Sequence, residues 1–249
     1  MKRLPILLSC LLGVFALPAS AQVLDRSINR AGASVLELEA GGAAIVLTPS
    51  SDLATVRVRV DQDKSAPVPA MQSVRQGNRL SVTLKPASGA PLLPFVQSNA
   101  ATYAVSYPAN MRLDLRLSNG DVSISKPSAS IEIYNQDGNI SIDDPRASIT
   151  AENGHGNITV TGALGPIDLA ADDGNVDATL ASGWSGNEIR MQSATGTVRL
   201  TVPKNFRAKF DVSSDTGVVH NSFGASNARS PFVWLYALKG DVWLTPSKS

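Results

Sequence analysis

The most regular feature of this chain is a glycine that is followed, two residues later, by valine or isoleucine. The unit occurs seven times; its first three intervals are all 18 residues long, and the later ones are 22, 21 and 23 residues. Equal intervals predict a structural repeat, because self-similarity at a fixed period is typical of repeat architectures. The glycines are Gly120, Gly138, Gly156, Gly174, Gly196, Gly217 and Gly240.

Apolar and polar residues alternate on both sides of these glycines. Around Gly138, Ile131 and Ile133 precede the glycine and Ile140 and Ile142 follow it, with mostly polar residues between them. Alternation with a period of two predicts strands that bury one face. Each unit is therefore predicted to be a strand, a glycine turn, a second strand and a return loop.

One such unit cannot fold alone, because its four inward aliphatics contribute roughly 1.5–3 kcal/mol each against an ordering cost of about 1.5 kcal/mol per residue. Stacked units share one core and pair equivalent strands. We therefore predict an all-β fold, a right-handed parallel β-helix (a solenoid) with coils of 18–23 residues. An antiparallel sandwich with hairpins at Asn119-Gly120 and similar turns stays open, although it would not require a fixed interval.

The repeat divides the chain into three parts. Residues 118–246 are predicted to form the solenoid, with longer return loops after Ala181 and around residues 224–230. Residues 22–117 alternate less regularly, and we expect them to form a strand-rich cap continuous with the first coil, because exposed end strands invite aggregation.

Residues 1–21 have the layout of a secretory signal peptide. A basic start at Lys2-Arg3 precedes an apolar run, and Ala19-Ser20-Ala21 offers a small-residue cleavage site before Gln22. The run is too short for a comfortable membrane span, so we expect a mature chain with no transmembrane segment, in the periplasm, at the cell surface or secreted. Cys10 is the only cysteine; acylation there, as in a lipoprotein, is the less favoured alternative.

Charge and composition exclude some classes of function. Without the two basic residues of the signal peptide, 20 basic and 21 acidic residues remain. A nearly neutral chain offers no electrostatic case for nucleic acid. The mature chain has no cysteine for disulfide or thiol chemistry.

The residues beside the repeated glycines have two interpretations. Asn and Asp there, such as Asp137, Asn139 and Asn157, could form a Ca²⁺ or sugar ladder, since oxygen-rich loops suit hard cations. The favoured interpretation is structural, because Asn and Asp tolerate turns and cap them with side-chain hydrogen bonds.

We find no catalytic or metal site in the sequence, and nothing in it implies a cofactor. The adjacent carboxylates Asp143-Asp144 and Asp172-Asp173 would point to opposite faces of a strand, whereas an acid/base pair must face a common groove. The two histidines are isolated, and no strand-to-helix elbow positions a nucleophilic serine.

Three aromatic residues near the end of the chain are the candidate binding residues: Trp234, Tyr236 and Trp243. If their neighbours Val233, Leu235, Val242 and Leu244 point inward, these rings point outward, and they converge if the last two strands lie in successive coils. Exposed aromatics bind glycans or protein partners. The alternative is that the rings cover the open C-terminal end of the stack.

The pattern resembles the bacterial putative adhesin domain family, exported proteins with repeated Gly-Asp-Val-type units. The resemblance rests on YAVSYPANMRLDLRLSNGDVSI at 103–124, the DGNISI, HGNITV, DGNVDA and TGTVRL turns, and ALKGDVWLTP at 237–246. It implies a β-helical domain of the cell envelope and no catalytic residues. We therefore expect a non-enzymatic binding or structural module with an unknown envelope protein or glycan as partner. The alternatives are a carbohydrate-active enzyme on the same scaffold and an accessory envelope-sensing protein.

Overall fold

The computed structural model describes residues 24–61, 69–85, 101–224 and 228–247. These residues form strands joined by turns and loops, without a helix. The predicted signal peptide and Cys10 lie outside the described residues. The strands are β1 (Leu24–Asn29), β2 (Val35–Ala40), β3 (Ala43–Ser50), β4 (Thr55–Asp61), β5 (Ala70–Gln76), β6 (Arg79–Lys85), β7 (Ala101–Pro108), β8 (Arg112–Leu117), β9 (Val122–Ser125), β10 (Ile131–Asp137), β11 (Ile140–Asp143), β12 (Ile149–His155), β13 (Ile158–Ala163), β14 (Ile167–Asp173), β15 (Val176–Leu180), β16 (Glu188–Thr195), β17 (Val198–Val202), β18 (Lys209–Ser214), β19 (Val219–Asn221), β20 (Phe232–Lys239) and β21 (Val242–Pro246).

The strands lie in two sheets, one of 11 strands and one of 10. A coil consists of one strand from the 10-stranded sheet, a turn, and the next strand in the 11-stranded sheet, as in β10 and β11. Equivalent strands of neighbouring coils pair in parallel and in register, so that Ile140 lies between Val122 and Ile158. The all-β prediction and the parallel stacking are confirmed, while the right-handed winding stays a prediction.

The core lies between the two sheets and is filled by the alternating apolar positions. Ile131, Ile133, Ile140 and Ile142 are all buried, whereas Ser141 between them is exposed. Because the register repeats from coil to coil, each inward side chain packs against its equivalents above and below as well as across the core. The predicted strand register is therefore confirmed in the repeated units.

The turn glycines allow the coils to approach each other closely. Gly138 has a φ of +124°, a left-handed conformation that side chains disfavour. A Cβ at this position would lie 2.4 Å from the carbonyl oxygen of Gly120 in the preceding coil. Any larger residue would therefore push the stacked turns apart.

A column of polar side chains lies inside the solenoid beneath these turns. The buried Asn153 amide donates to the carbonyl of Gly138 (2.9 Å), and the Ser193 hydroxyl donates to that of Gly174 (2.8 Å). These bonds occupy turn carbonyls that would otherwise be buried without a partner, which is costly. The sequence analysis did not identify this column.

The order of coils differs from the chain order at both ends of the stack. The coil of β20 and β21 lies between that of β16 and β17 and that of β18 and β19. At the other end, the coil of β2 and β3 lies between that of β6 and β7 and that of β8 and β9. Residues 232–246 are therefore inside the stack, and the terminal coil is formed by residues 209–221.

The region expected to be a cap, residues 22–117, has two structural parts in the residues that the structure describes. β2, β3, β6, β7 and β8 are parallel members of the same two sheets. β1, β4 and β5 pair antiparallel at the edge of the stack. In the coil of β2 and β3, Ala43 lies against Gly120, where the later coils have a glycine, which is why the glycine repeat did not reveal it.

Among the described residues, no helix has the length and apolar character needed to cross a bilayer.

Candidate functional site

Two of the three candidate aromatics form one patch on the outer face of the 10-stranded sheet. Trp234 and Tyr236 are two residues apart on β20, so their side chains leave the strand on the same face. Their rings stack with centroids 5.8 Å apart and an interplanar angle of 20°. Both side chains are half-buried, whereas Val233 and Leu235 are fully buried on the inner face. We call Trp234 and Tyr236 the aromatic patch.

Polar side chains border the aromatic patch on the two neighbouring strands. On β16, Arg190 stands beside Trp234 and Gln192 beside Tyr236. On β18, Asp211 and Ser213 occupy the corresponding positions, and all four residues are exposed. The patch therefore places two stacked rings beside side chains that donate and accept hydrogen bonds.

Nearby charges set the electrostatics of the patch. Arg190 Nε lies 2.8 Å from Glu188 Oε1. Burial raises the pKa of the Tyr236 hydroxyl, and a hydrogen bond with Asp215 and its negative charge raise that pKa further. Burial also raises the pKa of Asp168, an effect that the positive charge of Arg190 opposes. The tyrosine hydroxyl is therefore neutral at physiological pH and serves as a hydrogen-bonding group.

The third candidate, Trp243, lies on the other sheet. Its strand, β21, belongs to the 11-stranded sheet, and its ring stacks on His220 of β19 with centroids 3.6 Å apart. The prediction that the three aromatic side chains converge is wrong. A glycine turn at Gly240 separates β20 from β21, and the two strands lie in opposite sheets. His220 is a contact that the sequence analysis missed.

The aromatic patch also does not cover the end of the stack. β20 is an internal strand between β16 and β18, so the patch lies on the side of the solenoid. Trp243, by contrast, is attached through His220 to β19, the edge strand of its sheet. These positions favour an exposed surface for Trp234 and Tyr236 and a structural contact for Trp243.

The turn residues after the repeated glycines form a hydrogen-bonded ladder. The side-chain oxygen of Asp121 accepts from the backbone N–H of Asn139 (2.8 Å), and that of Asn139 accepts from Asn157 (3.0 Å). Asn157 and Asn175 continue the series. These hydrogen bonds to backbone amides support the structural interpretation of this column.

The carboxylates and histidines considered for chemistry are dispersed. Asp143 accepts a hydrogen bond from Thr161 (2.5 Å), and Asp144 has a φ of +49° in a turn. His155 Nδ1 lies 3.0 Å from Asp137 Oδ1 on the exposed turn side. In the described part of the chain, no three His, Cys, Asp or Glu side chains are grouped in a way that could hold a metal ion.

A concave surface lies among the return loops. Trp184 and Phe206 meet edge to face, with centroids 5.5 Å apart. They line a cleft of about 400 Å³ together with Pro203 and Pro231. Because the Trp184 indole N–H donates to the carbonyl of Gly165 (2.6 Å), this side chain anchors the longer loop after Ala181 to the stack.

The comparison with known families finds one match. Residues 109–230 match the model described as Toastrack DUF4097. The match covers the regular coils and the beginning of the C-terminal exchange of coil order. No curated protein sequence matches this chain.

Solved structures that are similar to this chain include two adhesin-type proteins. A putative adhesin from Bacteroides fragilis NCTC 9343 shares 13% identity with a TM-score of 0.52, covering 92% of this chain and 98% of its own. A putative cell adhesion protein from Clostridium sporogenes ATCC 15579 shares 10% identity with a TM-score of 0.44, covering 92% and 100%. The similarity to the Bacteroides fragilis protein shows a shared fold. At these sequence identities, neither structure indicates a ligand for this chain.

Proposed function

Because residues 109–230 of this chain belong to the Toastrack DUF4097 family, the putative adhesin domain family that the sequence resembles, we propose a non-enzymatic binding module of the bacterial cell envelope. The aromatic patch is its recognition surface, and the partner is an envelope glycan or protein. The observation that carries this proposal is that Trp234 and Tyr236 stay partly exposed on the outer face of a strand whose inner face packs in the core.

The chemistry of the patch supports binding. Aromatic rings offer large apolar faces at a low cost in conformational entropy, and interface hot spots favour Trp and Tyr. Arg190 and Gln192 on one side and Asp211 and Ser213 on the other supply polar groups that could orient a sugar or a peptide. The core beneath the patch is filled by Val233 and Leu235, which are fully buried.

The cellular location follows from the N-terminus of the sequence. The basic start, apolar run and Ala19-Ser20-Ala21 site support export to the periplasm, the cell surface or the medium. Intact-mass measurement of the protein isolated from cells should give Gln22 as the first residue. A diacylglycerol-modified Cys10 terminus would contradict this and indicate a membrane-anchored lipoprotein.

A pair of tryptophan variants tests the binding surface. Trp234→Ala should reduce co-sedimentation with isolated cell envelopes by at least about tenfold, as expected for an interface hot spot, with a melting temperature near that of the wild type. Trp243→Ala is the matched control: it should keep envelope binding and lower the melting temperature, since its ring bridges β21 and β19. If Trp234→Ala has a much lower melting temperature and still binds cell envelopes, the patch is structural and the proposal fails.

A further inference from the structure

The C-terminal end of the stack has two open strand edges. In the described chain β18 pairs with β20 alone and β19 with β21 alone. The N–H of Lys209 donates to Pro231 (2.9 Å) and that of Asp215 to Ala237 (3.1 Å). Because successive residues of a strand direct their backbone groups to opposite sides, the N–H and C=O of Phe210, Val212 and Ser214 point away from β20. These groups are free to pair with another strand.

The core is only partly covered at this end, where the rings of Phe206 and Phe223 pack against Phe210 (centroids 6.3 and 5.6 Å apart). Phe210 and Val212 point inward but are only half-buried, although Val233 and Leu235, their counterparts in the next coil, are fully buried. Val219 on β19 is 40% exposed. An unpaired edge with an apolar inner face is a template for another chain.

The sequence of β18 is complementary to a second, antiparallel copy of itself. An antiparallel pair centred on Val212 places Phe210, Val212 and Ser214 at the hydrogen-bonded positions, which are the residues whose backbone groups face the free edge. It also places the exposed Lys209 opposite Asp215 of the second copy, and Asp215 opposite Lys209 of the second copy. Opposite charges at facing positions stabilise strand pairing.

We propose that two copies of this protein associate end to end, by antiparallel pairing of β18 with β18 of a second copy about a twofold axis at Val212. The contact continues the 10-stranded sheet and covers Phe210 and Val212 in the core. It closes as a dimer and does not grow into a fibre, since the twofold contact uses the β18 edge of both copies. A single self-complementary surface of this kind generates a closed twofold pair.

Charge reversal tests the pairing and its register. Light scattering on the wild type at micromolar concentration should give twice the monomer mass. Lys209→Asp or Asp215→Lys alone should weaken the dimer by at least about tenfold, because each creates two like-charge pairs. The double variant should restore dimerisation. Lys209→Asp combined with Asp211→Lys is the matched control and should stay weakened, because residue 211 faces Ser213 in this register.

A proline variant tests the role of the backbone. Val212→Pro removes an N–H that faces the free edge and is not used in the pairing with β20, so the chain should fold and remain monomeric. Val212→Thr keeps the N–H and should dimerise. A monomeric wild type overturns the proposal. The proposal also fails if the double charge reversal does not restore the dimerisation lost in the single variants while all variants have the melting temperature of the wild type. If Val212→Pro does not fold, the charge-reversal variants still test whether β18 pairs with β18 of a second copy.

Discussion

The two ends of the solenoid are completed in different ways. At the N-terminal end, β5 pairs antiparallel with β6, and β4 and β1 pair antiparallel beyond β7. The inward residues of the outer coil there, including Leu80 and Val82, are fully buried. At the C-terminal end no described strand lies beyond β18 and β19, and Phe210 and Val212 remain half-buried.

The C-terminal exchange of coils has a physical reason in the inward residues. The inner coil has Val233, Leu235, Val242 and Leu244 at these positions. The terminal coil has Ser214 and Asn221 among its inward residues. A coil inside the stack is covered on both sides, so placing the more apolar coil there buries more apolar area than the chain order would. Side-chain composition therefore explains why the coil of β20 and β21 lies inside the stack although it is last in chain order.

The largest expected effect compares equivalent positions in a middle coil and in the terminal coil. Ile140 and Val219 both stand two residues after a turn glycine. Ile140→Asp should unfold the protein, because a buried unpaired charge costs several kcal/mol against total stabilities of about 5–15 kcal/mol. Val219→Asp should cost less than about 1 kcal/mol, because that side chain is already 40% exposed. Circular dichroism and urea denaturation measure both.

Ser141→Asp is the control for strand register, with an expected cost under about 0.5 kcal/mol at an exposed position. Equal melting of Ile140→Asp and Ser141→Asp would show that the register is wrong. Unfolding by Val219→Asp would instead remove the distinction between the terminal coil and the middle coils.

A smaller effect compares the two ends directly by the same truncation. Val82→Ala at the closed end removes two buried methyl groups and leaves a cavity, at an expected cost of about 2 kcal/mol. Val212→Ala at the open end should cost less than about 1 kcal/mol, because the side chain is only half-buried. Chemical denaturation at concentrations low enough to keep the chain monomeric makes the comparison. Equal costs would mean that both ends are equally covered.

The smallest expected effect concerns a polar group inside the closed end. The Tyr107 hydroxyl on β7 is buried, and no hydrogen-bond partner for it is found in the described chain. Tyr107→Phe should therefore stabilise the protein by about 1 kcal/mol at neutral pH. Tyr134→Phe, at an exposed position, is the control and should change stability by less than about 0.5 kcal/mol.

The same residue predicts an alkaline transition. Burial raises the pKa of Tyr107 from 10.0 to about 12. Because the folded pKa is above the unfolded one, folding favours the neutral hydroxyl, and stability is lost as the pH rises from about 10 to 12. Tyr107→Phe should reduce this loss, measured as melting temperature against pH; the remainder includes Tyr103, whose pKa burial also raises. An unchanged alkaline transition would contradict the assignment.

The sequence by itself determined the strands, the stacking and the family resemblance. Ile131, Ile140 and their equivalents alternate with polar residues at a fixed interval, and burial follows that alternation because successive side chains of a strand face opposite sides. The outward direction of Trp234 and Tyr236 followed from the same rule. These predictions succeeded because each depends only on residues close together in the chain.

Only the tertiary structure decided which coil lies beside which. The 10-residue connection from Asn221 to Phe232 can reach more than one coil, since neighbouring strands are only about 4.8 Å apart. The position of β20 between β16 and β18, the separation of Trp243 from the aromatic patch and the open edge of β18 all result from that choice. The order of the coils depends on the apolar area that each coil buries in the assembled stack. That area depends on residues that are far apart in the chain, so no interval or local sequence pattern predicts it.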